Sequence, residues 1–467
     1  MSMSQISSAR FIEDAFNERR YKEICENCRT RDPSELLPIN AARVGWSFLK
    51  EYDYDLAKKF IDSAVKRNRY FISNLEVSDL DTDMGAVRKV FPDWSWPNLV
   101  LAQHSRKNQD IHSAYMYILN SSLSRDHPSE AAHAFEFTNI CMALWNSEKI
   151  RAVDKIKKIL EADFSRFGER GWNLLQQGIL LQCMDQKEDA FLSFKKITSE
   201  ETSYNKVLAG ANTLFDPSNI IKYNNPVTLL EEDIVGRPDI CIMASADKDY
   251  LIKFSDVYIN SAKYCEAASF HFCVMNPTID SKKIINNLRK ITGKTINASY
   301  YKIIGIDQDK LKSAYACSRF LIYEDMLRIY NRGVLVTDID AAFRPGLSEF
   351  INGLGEADIG LRFIDAPYRL PWQTAVAGAV WIANTAVARR FLASVAEYCC
   401  YGLLDPSVRG VPSWWLDQNA LNAGVRNSLG DGTFGLLNFW GMQLPIEFAG
   451  HAQDKKMSFV SGRASSL

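Results

Sequence analysis

Val334-Leu335-Val336-Thr337-Asp338-Ile339-Asp340-Ala341 is an apolar run that ends in two aspartates separated by one residue. The run reads as a buried strand. On an extended chain a spacing of two points both carboxylates to the same side. Two like charges that close raise each other's pKa unless a cation sits between them. An oxygen-rich pair on a sheet edge suits a hard divalent ion, Mg²⁺ or Mn²⁺. The plainer alternative is a pair of solvated aspartates in a turn. The apolar run before and Ala341-Ala342-Phe343 after weigh against it.

Around this stretch short apolar runs alternate with helical patterns. Residues 240–244, 270–275, 298–303 and 333–337 read as strands, and 252–267, 281–291 and 311–328 as helices. Such alternation implies βαβ units and a mainly parallel sheet. Sheets of this kind take ligands at the carboxyl ends of their strands. The aspartate pair lies at one of those ends.

Upstream the texture changes. Pro217, Pro226 and Pro238, with Asn224-Asn225 between them, punctuate a boundary. Before it the chain reads as helix almost throughout. The expected organisation is a helical domain over 1–212, a linker over 213–237 and an α/β domain over 238–467.

The helical half carries an internal repeat. Ala57, Ala114, Ala152 and Ala190 are spaced by 57, 38 and 38 residues. Twelve residues before them stand Gly45, Ala102, Ile140 and Gly178, and four after them Ile61, Ile118, Ile156 and Phe194. A small residue lets two helix backbones approach, and a large one four along fills the next groove. This pattern resembles the tetratricopeptide repeat (TPR), although its period of 38 exceeds the family's roughly 34 and Ile140 breaks the small-residue rule. An ordinary helical bundle is the alternative. Either arrangement stacks helix pairs, and such stacks bind partners on a concave face.

The 467 residues carry 55 Lys+Arg against 56 Asp+Glu, a formal net charge of −1. That balance argues against nucleic-acid binding, which needs a strong basic field. The apolar share of 47% is enough for a sizeable core. The first thirty residues are laced with charge, and no uninterrupted apolar run follows them. The most apolar later stretch, 374–388, is shorter than the roughly 20 residues of a bilayer span. The expectation is a cytoplasmic protein without a secretory leader or membrane span. The ten cysteines then read as reduced core thiols. Cys25-Glu26-Asn27-Cys28 is a lone pair where a structural zinc site wants four ligands. His104, His112, His127 and His133 are too dispersed for a metal site. The sequons at Asn120 and Asn297 carry no meaning without secretion.

Several segments together carry a resemblance. Ala314–Phe320, with Arg319, leads through a helix into the Asp338-Ile339-Asp340 strand. Residues 240–243 run into Ala244-Ser245-Ala246-Asp247. Further along stand Ala377-Gly378-Ala379-Val380-Trp381-Ile382-Ala383-Asn384 and Trp414-Trp415-Leu416-Asp417-Gln418-Asn419-Ala420-Leu421. In this order, over about 225 residues, they resemble the GT-A fold nucleotide-diphospho-sugar glycosyltransferases with a DxD motif. The implied architecture is a TPR-like all-α domain followed by a GT-A α/β domain with a Rossmann-like mixed sheet. An Asp-x-Asp after a strand also fits haloacid-dehalogenase-like phosphatases. That family wants Thr or Val where Ala342 stands, and its later acidic motif would have to be Gly430-Asp431-Gly432-Thr433.

The resemblance implies a set of roles. Asp340 ligates the metal, and Asp338 shares it or takes the ribose hydroxyls. His451, after an expected strand over 443–448, completes the metal shell. Ala244, Asp247 and Tyr250 flank base and ribose. Arg319 reaches the phosphates or the DxD pair, and Ile339, Gly378 and Gln418 line the donor site. Lys455 or Lys456 and Arg463 contact the diphosphate from the tail, which closes over the donor. Asp417 positions the acceptor hydroxyl or donor sugar, or acts as a general base, so that Asp417 and Asp338 are the catalytic candidates. Trp372, Trp381, Trp414 and Trp415 offer faces for sugar stacking, or core packing. The residues alone fit retaining and inverting stereochemistry alike, and the resemblance leans toward retaining.

The expected function is metal-dependent transfer of a sugar from a nucleotide sugar, a UDP-sugar, to a protein, peptide or glycan acceptor, with Mn²⁺ or Mg²⁺. The helical half holds the acceptor or mediates self-association. The alternative is a non-catalytic helical scaffold carrying a relic transferase domain. The intact Asp338, Asp340, Arg319 and Asp417 favour the enzyme.

Overall fold

The computed structural model describes residues 3–67, 80–127, 129–198, 201, 207–236, 239–265, 268–292, 294–354, 357–430 and 432–448. The chain forms two compact units, Met1–Ile197 and Thr198–Leu467.

The first unit is helical. Its helices are α1 (Met3–Asn17), α2 (Tyr21–Cys28), α3 (Pro38–Lys50), α4 (Tyr54–Arg67), α5 (Leu80–Val90), α6 (Trp96–Lys107), α7 (Ile111–Leu123), α8 (Glu130–Glu148), α9 (Val153–Phe167), α10 (Gly171–Cys183) and α11 (Lys187–Lys195). The small-residue positions are where helix pairs meet. A Cβ at Gly45 would lie 2.7 Å from Ile61 on the next helix, and one at Gly178 2.3 Å from Phe194. Ala57, Ala102, Ala114 and Ala190 are buried.

The turns repeat in step with the alanines. Tyr52, Gln109 and Asp185 all adopt a left-handed conformation, with φ of 60°, 64° and 60°, and each precedes its alanine by five residues. The next residue donates its N–H to the carbonyl five back: Asp53 to Phe48, Asp110 to Ser105 and Gln186 to Leu181, each at 2.9 Å. Arg20 does the same to Ala15 at 2.8 Å. A left-handed residue just past a helix closes its orphan carbonyls. The α8–α9 connection departs from this, passing through a 3-10 turn at Lys149–Ala152. There Ile140 stands in place of a small residue.

Cys25 and Cys28 are buried on α2, and burial pushes the Cys25 thiol up to about 12. A thiol held protonated is a packing group. His133 is wholly buried, with Nε2 at 2.7 Å from Asp163 Oδ1. Trp172 Nε1 and Asn173 Nδ2 donate to Asp163 Oδ2 at 2.9 and 3.0 Å.

The second unit contains β1 (Val227–Asp233), β2 (Ile240–Ala246), α12 (Lys248–Ser261), β3 (Ser269–Met275), α13 (Ile279–Thr292), β4 (Ile296–Ile303), α14 (Leu311–Leu321), α15 (Tyr323–Ile329), β5 (Gly333–Thr337), β6 (Ala341–Phe343), α16 (Leu347–Gly353), β7 (Ile359–Phe363), β8 (Ala375–Ala383), α17 (Ala386–Leu404), α18 (Leu416–Ser428), β9 (Leu436–Asn438) and β10 (Ile446–Phe448). Eight strands form one sheet in the order β1-β4-β3-β2-β5-β8-β7-β9, and β6 pairs with β10. β4, β3, β2 and β5 run parallel. β8 is antiparallel to both β5 and β7, and β1 to β4, so the sheet is mixed. One core, with α14, α15, α17 and α18, covers one face. A second, with α12, α13 and α16, covers the other.

The stretch read as linker holds more structure than its prolines suggest. It contains β1, an edge strand whose partner β4 lies some seventy residues on. The turn at Leu208–Thr213, which spans the expected end of the helical half at 212, is buried in the second unit. The helix expected over 311–328 breaks at Ile322 into α14 and α15.

Candidate functional site

The two aspartates lie between β5 and β6, in a turn and not on extended chain. The Ala341 N–H donates to Asp338 O at 3.2 Å. Ile339 between them is buried in the core, where its role is to anchor the turn. Asp340 is 8% exposed, whereas 40% of the Asp338 side chain reaches solvent.

Arg319 comes from α14 and bridges two carboxylates. Nη1 donates to Asp338 Oδ1, and Nη2 to Asp417 Oδ2 at 2.7 Å. Burial works to lower the guanidinium's pKa, but Asp338 and Asp417 outweigh it and hold the group above its ordinary value. Burial pushes Asp338 above the usual carboxylate range; Arg319 opposes this, and the charges of Asp340 and Asp417 add to it. Arg319 thus faces two carboxylates, Asp338 and Asp417, and the charge of Asp340 acts on the first of them.

Gly378 on β8 keeps room beside this pair. Its carbonyl accepts from the Asp338 N–H at 3.1 Å. A Cβ there would lie 3.2 Å from Asp338 Oδ2 and 3.4 Å from the Phe448 ring.

Asp417 and Gln418 open α18. Trp415, just before, has φ of 73°, a conformation that strains a bulky side chain. Asp417 Oδ1 accepts from the Gln418 N–H at 2.9 Å. The Gln418 amide, oriented to donate, reaches Ala375 O at 2.9 Å and Trp372 O at 3.1 Å. Its nitrogen therefore ties α18 to the start of β8.

The base-side candidates follow β2. Ala244 is buried in the core, opposite Thr337 of β5, so its methyl packs. Asp247 caps α12, its Oδ1 accepting from the Tyr250 N–H at 2.9 Å. The Tyr250 ring is 45% exposed and tilts against Phe254.

Trp372 and Trp381 are buried core residues, not sugar platforms, while Trp414 is 42% exposed. His451, Lys455, Lys456 and Arg463 lie outside the described residues, as does Asp431. Among the described residues no group of three His, Cys, Asp or Glu could hold a metal. No helix among them is long and apolar enough to cross a membrane.

Sequence reasoning passed over several neighbours. Ser245 and Ser318 join β2 to α14 through hydroxyls 2.7 Å apart. Asn276 follows β3 with φ of 49°, and its Nδ2 donates to Tyr315 OH at 3.2 Å. The Asn-Pro step after a strand was the available signal. Trp440, 53% exposed, follows β9 at the same carboxyl edge of the sheet as the aspartates.

No protein-family description matches the chain, and no curated protein matches it by sequence. Among solved structures it is similar to the galactosyltransferase LgtC in complex with donor and acceptor sugar analogs, at 16% identity and a TM-score of 0.33. That match covers 49% of this chain and 96% of the other. An active-site mutant of LgtC matches at 16% identity and a TM-score of 0.34, over 49% and 96% of the two chains. The glycosyltransferase GlyE of Streptococcus pneumoniae TIGR4 matches at 13% identity and a TM-score of 0.30, over 50% of this chain and 64% of that one.

Proposed function

We propose that the second unit is a metal-dependent glycosyltransferase of the GT-A type, taking a sugar from a nucleoside-diphosphate donor, a UDP-sugar, to a protein or glycan acceptor. One observation carries the reading. Two aspartates sit in a turn at the carboxyl end of β5, and buried Arg319 joins the first of them to Asp417.

Asp338 and Asp340 would hold Mn²⁺ or Mg²⁺, with His451 as the third ligand. A bound divalent ion neutralises the charge that builds on a departing diphosphate. This chain's own groups do the rest. Arg319 holds Asp338 through their ion pair and adds positive charge beside the leaving group. Asp417, held by the same guanidinium, faces the acceptor side. Gly378 leaves space for the donor. Asp247 and Tyr250, at the end of β2, take the nucleoside, with the exposed Tyr250 ring stacking on the base. Lys456 and Arg463 meet the diphosphate from the tail. The helical hairpins, read as TPR-like, hold the acceptor or a partner.

Calorimetric binding of UDP, GDP, ADP and CDP to the full chain, each with and without Mn²⁺, tests this reading. One nucleotide binding only with metal is the expected result. No binding of any nucleotide with any metal overturns it.

A further inference from the structure

Residues 207–215 contain no strand and no long helix, yet Leu208–Thr213 are all buried. They lie against the turn that presents Asp417. Trp372 Nε1 donates to Val207 O at 2.9 Å. Gly210 meets the same indole so closely that a Cβ would fall 2.1 Å from it. Asn419 Nδ2 donates to Gly210 O at 2.9 Å and to Thr213 Oγ1 at 3.0 Å. Thr213 Oγ1 is 3.3 Å from Trp414 O. Tyr398 OH donates to Thr213 O and accepts from the Phe215 N–H, both at 2.8 Å.

The turn so gripped is strained. Trp415 is held left-handed at φ of 73°. Ser413 Oγ, Asn419 Oδ1 and Arg319 Nε are buried without a hydrogen-bond partner among the described residues. Such features persist only where the surroundings over-determine them, and they mark functional geometry. Residues 207–215 share this grip with Ser313, whose Oγ donates to Ser413 O at 3.0 Å, with the Gln418 amide bonds to Ala375 and Trp372, and with Arg319 on Asp417.

We infer that residues 207–215 are a positioning strap for the Trp414–Gln418 turn, acting through Thr213 and Asn419. The strap sets Trp415, and with it the start of α18. Asp417 stands there and carries the arrangement to Arg319 and Asp338. What the turn is positioned for, alignment of the acceptor, rests on the glycosyl-transfer reading. The strap itself does not.

Two variants of the full chain separate these points. Thr213→Val keeps the side-chain shape and removes the hydroxyl, whereas Thr213→Ser keeps the hydroxyl. Amide hydrogen exchange is read over 411–419 and over β5. The expected result for Thr213→Val is exchange about tenfold faster over 411–419 and unchanged over β5, with Thr213→Ser close to the parent. Parent-like exchange in Thr213→Val, or Thr213→Ser as fast as Thr213→Val, overturns the strap. The second readout is nucleotide release from UDP-glucose and UDP-galactose with Mn²⁺. Thr213→Val is expected to lower kcat about tenfold with KM for the donor unchanged, and Thr213→Ser to restore it. A kcat equal to the parent's, with faster exchange, overturns the positioning role of the strap in turnover. A parent chain that neither binds nor cleaves either donor overturns the glycosyl-transfer reading, while hydrogen exchange still decides the strap.

Discussion

Arg319 reaches Asp417 at 2.7 Å across 98 residues of chain. The same guanidinium holds Asp338. A single buried cation therefore joins the strand that ends in the aspartate pair to the helix that opens with Asp417. Lys could not span both, because its ammonium is a point charge where the guanidinium is a fork. Arg319→Ala leaves two carboxylates uncompensated. We expect a loss of about 2–3 kcal/mol in urea unfolding, less than for a fully buried pair because Asp338 keeps part of its solvation. An unchanged midpoint would show the bridge to be ornamental.

Asp340→Ala removes one of the two carboxylates on the turn while the strands around it keep their pairing. In the parent, UDP with Mn²⁺ at a hundredfold above its dissociation constant should add about 2.7 kcal/mol of stability. The variant should melt like the ligand-free parent whether or not UDP and Mn²⁺ are present. Metal-dependent stabilisation retained in the variant would move the site elsewhere.

His271 on β3 is buried between Tyr330 OH at 2.8 Å from Nδ1 and Ser299 Oγ at 3.0 Å from Nε2. Burial lowers its pKa from 6.5 to about 3. The unfolded chain therefore binds a proton that the folded chain refuses. The stability this group contributes is full above the unfolded value of 6.5 and falls away between 6.5 and about 3. Acidification from about pH 7.5 to about pH 5 should cost about 2 kcal/mol through this residue. Equilibrium unfolding at both pH values, with His271→Gln as the comparison, measures it. An equal acid penalty in the variant would assign the loss to other groups.

Gly210→Ala asks the Trp372 ring to move, since the new methyl would stand 2.1 Å from it. Overpacking of this kind costs about 2 kcal/mol. A lower melting temperature is expected. Trp372 gives a direct spectroscopic check, since its fluorescence should change with the shift.

Asp163→Ala, in the helical unit, strips the acceptor from Trp172, Asn173 and His133 at once. Trp172 Nε1 and His133 Nε2 would lose their partner, while Asn173 Nδ2 keeps the Gly168 carbonyl at 2.8 Å, for a combined cost of about 3 kcal/mol. Loss of helical circular dichroism at a lower temperature than in the parent checks it. A melting curve superimposable on the parent's would mean that water repairs the gap.

Much of the second unit was legible from local pattern. The strands at 240–244, 270–275 and 333–337 fall within β2, β3 and β5, because buried parallel strands are short continuous apolar runs. β1 was not legible, since its Glu231-Glu232-Asp233 end is polar and its pairing is with a distant strand. Asp338 and Asp340 stood out by position, but their unequal exposure did not, because it depends on which neighbours cover the turn. The two core tryptophans and the exposed Trp414 read alike in one dimension.

By itself the sequence determined the elements: helices paired through small residues, apolar strands, and an acidic turn after one of them. These follow from periodicity and side-chain size, which act between residues close in the chain. Only the tertiary structure decided which carboxylate Arg319 would join to which, where β8 would insert, and that the stretch before the first strand would brace the Asp417 turn. Those contacts link residues from 19 to 209 positions apart. They exist because burying the apolar faces of the sheet brings distant segments together, and polar groups caught in that burial must find partners across it.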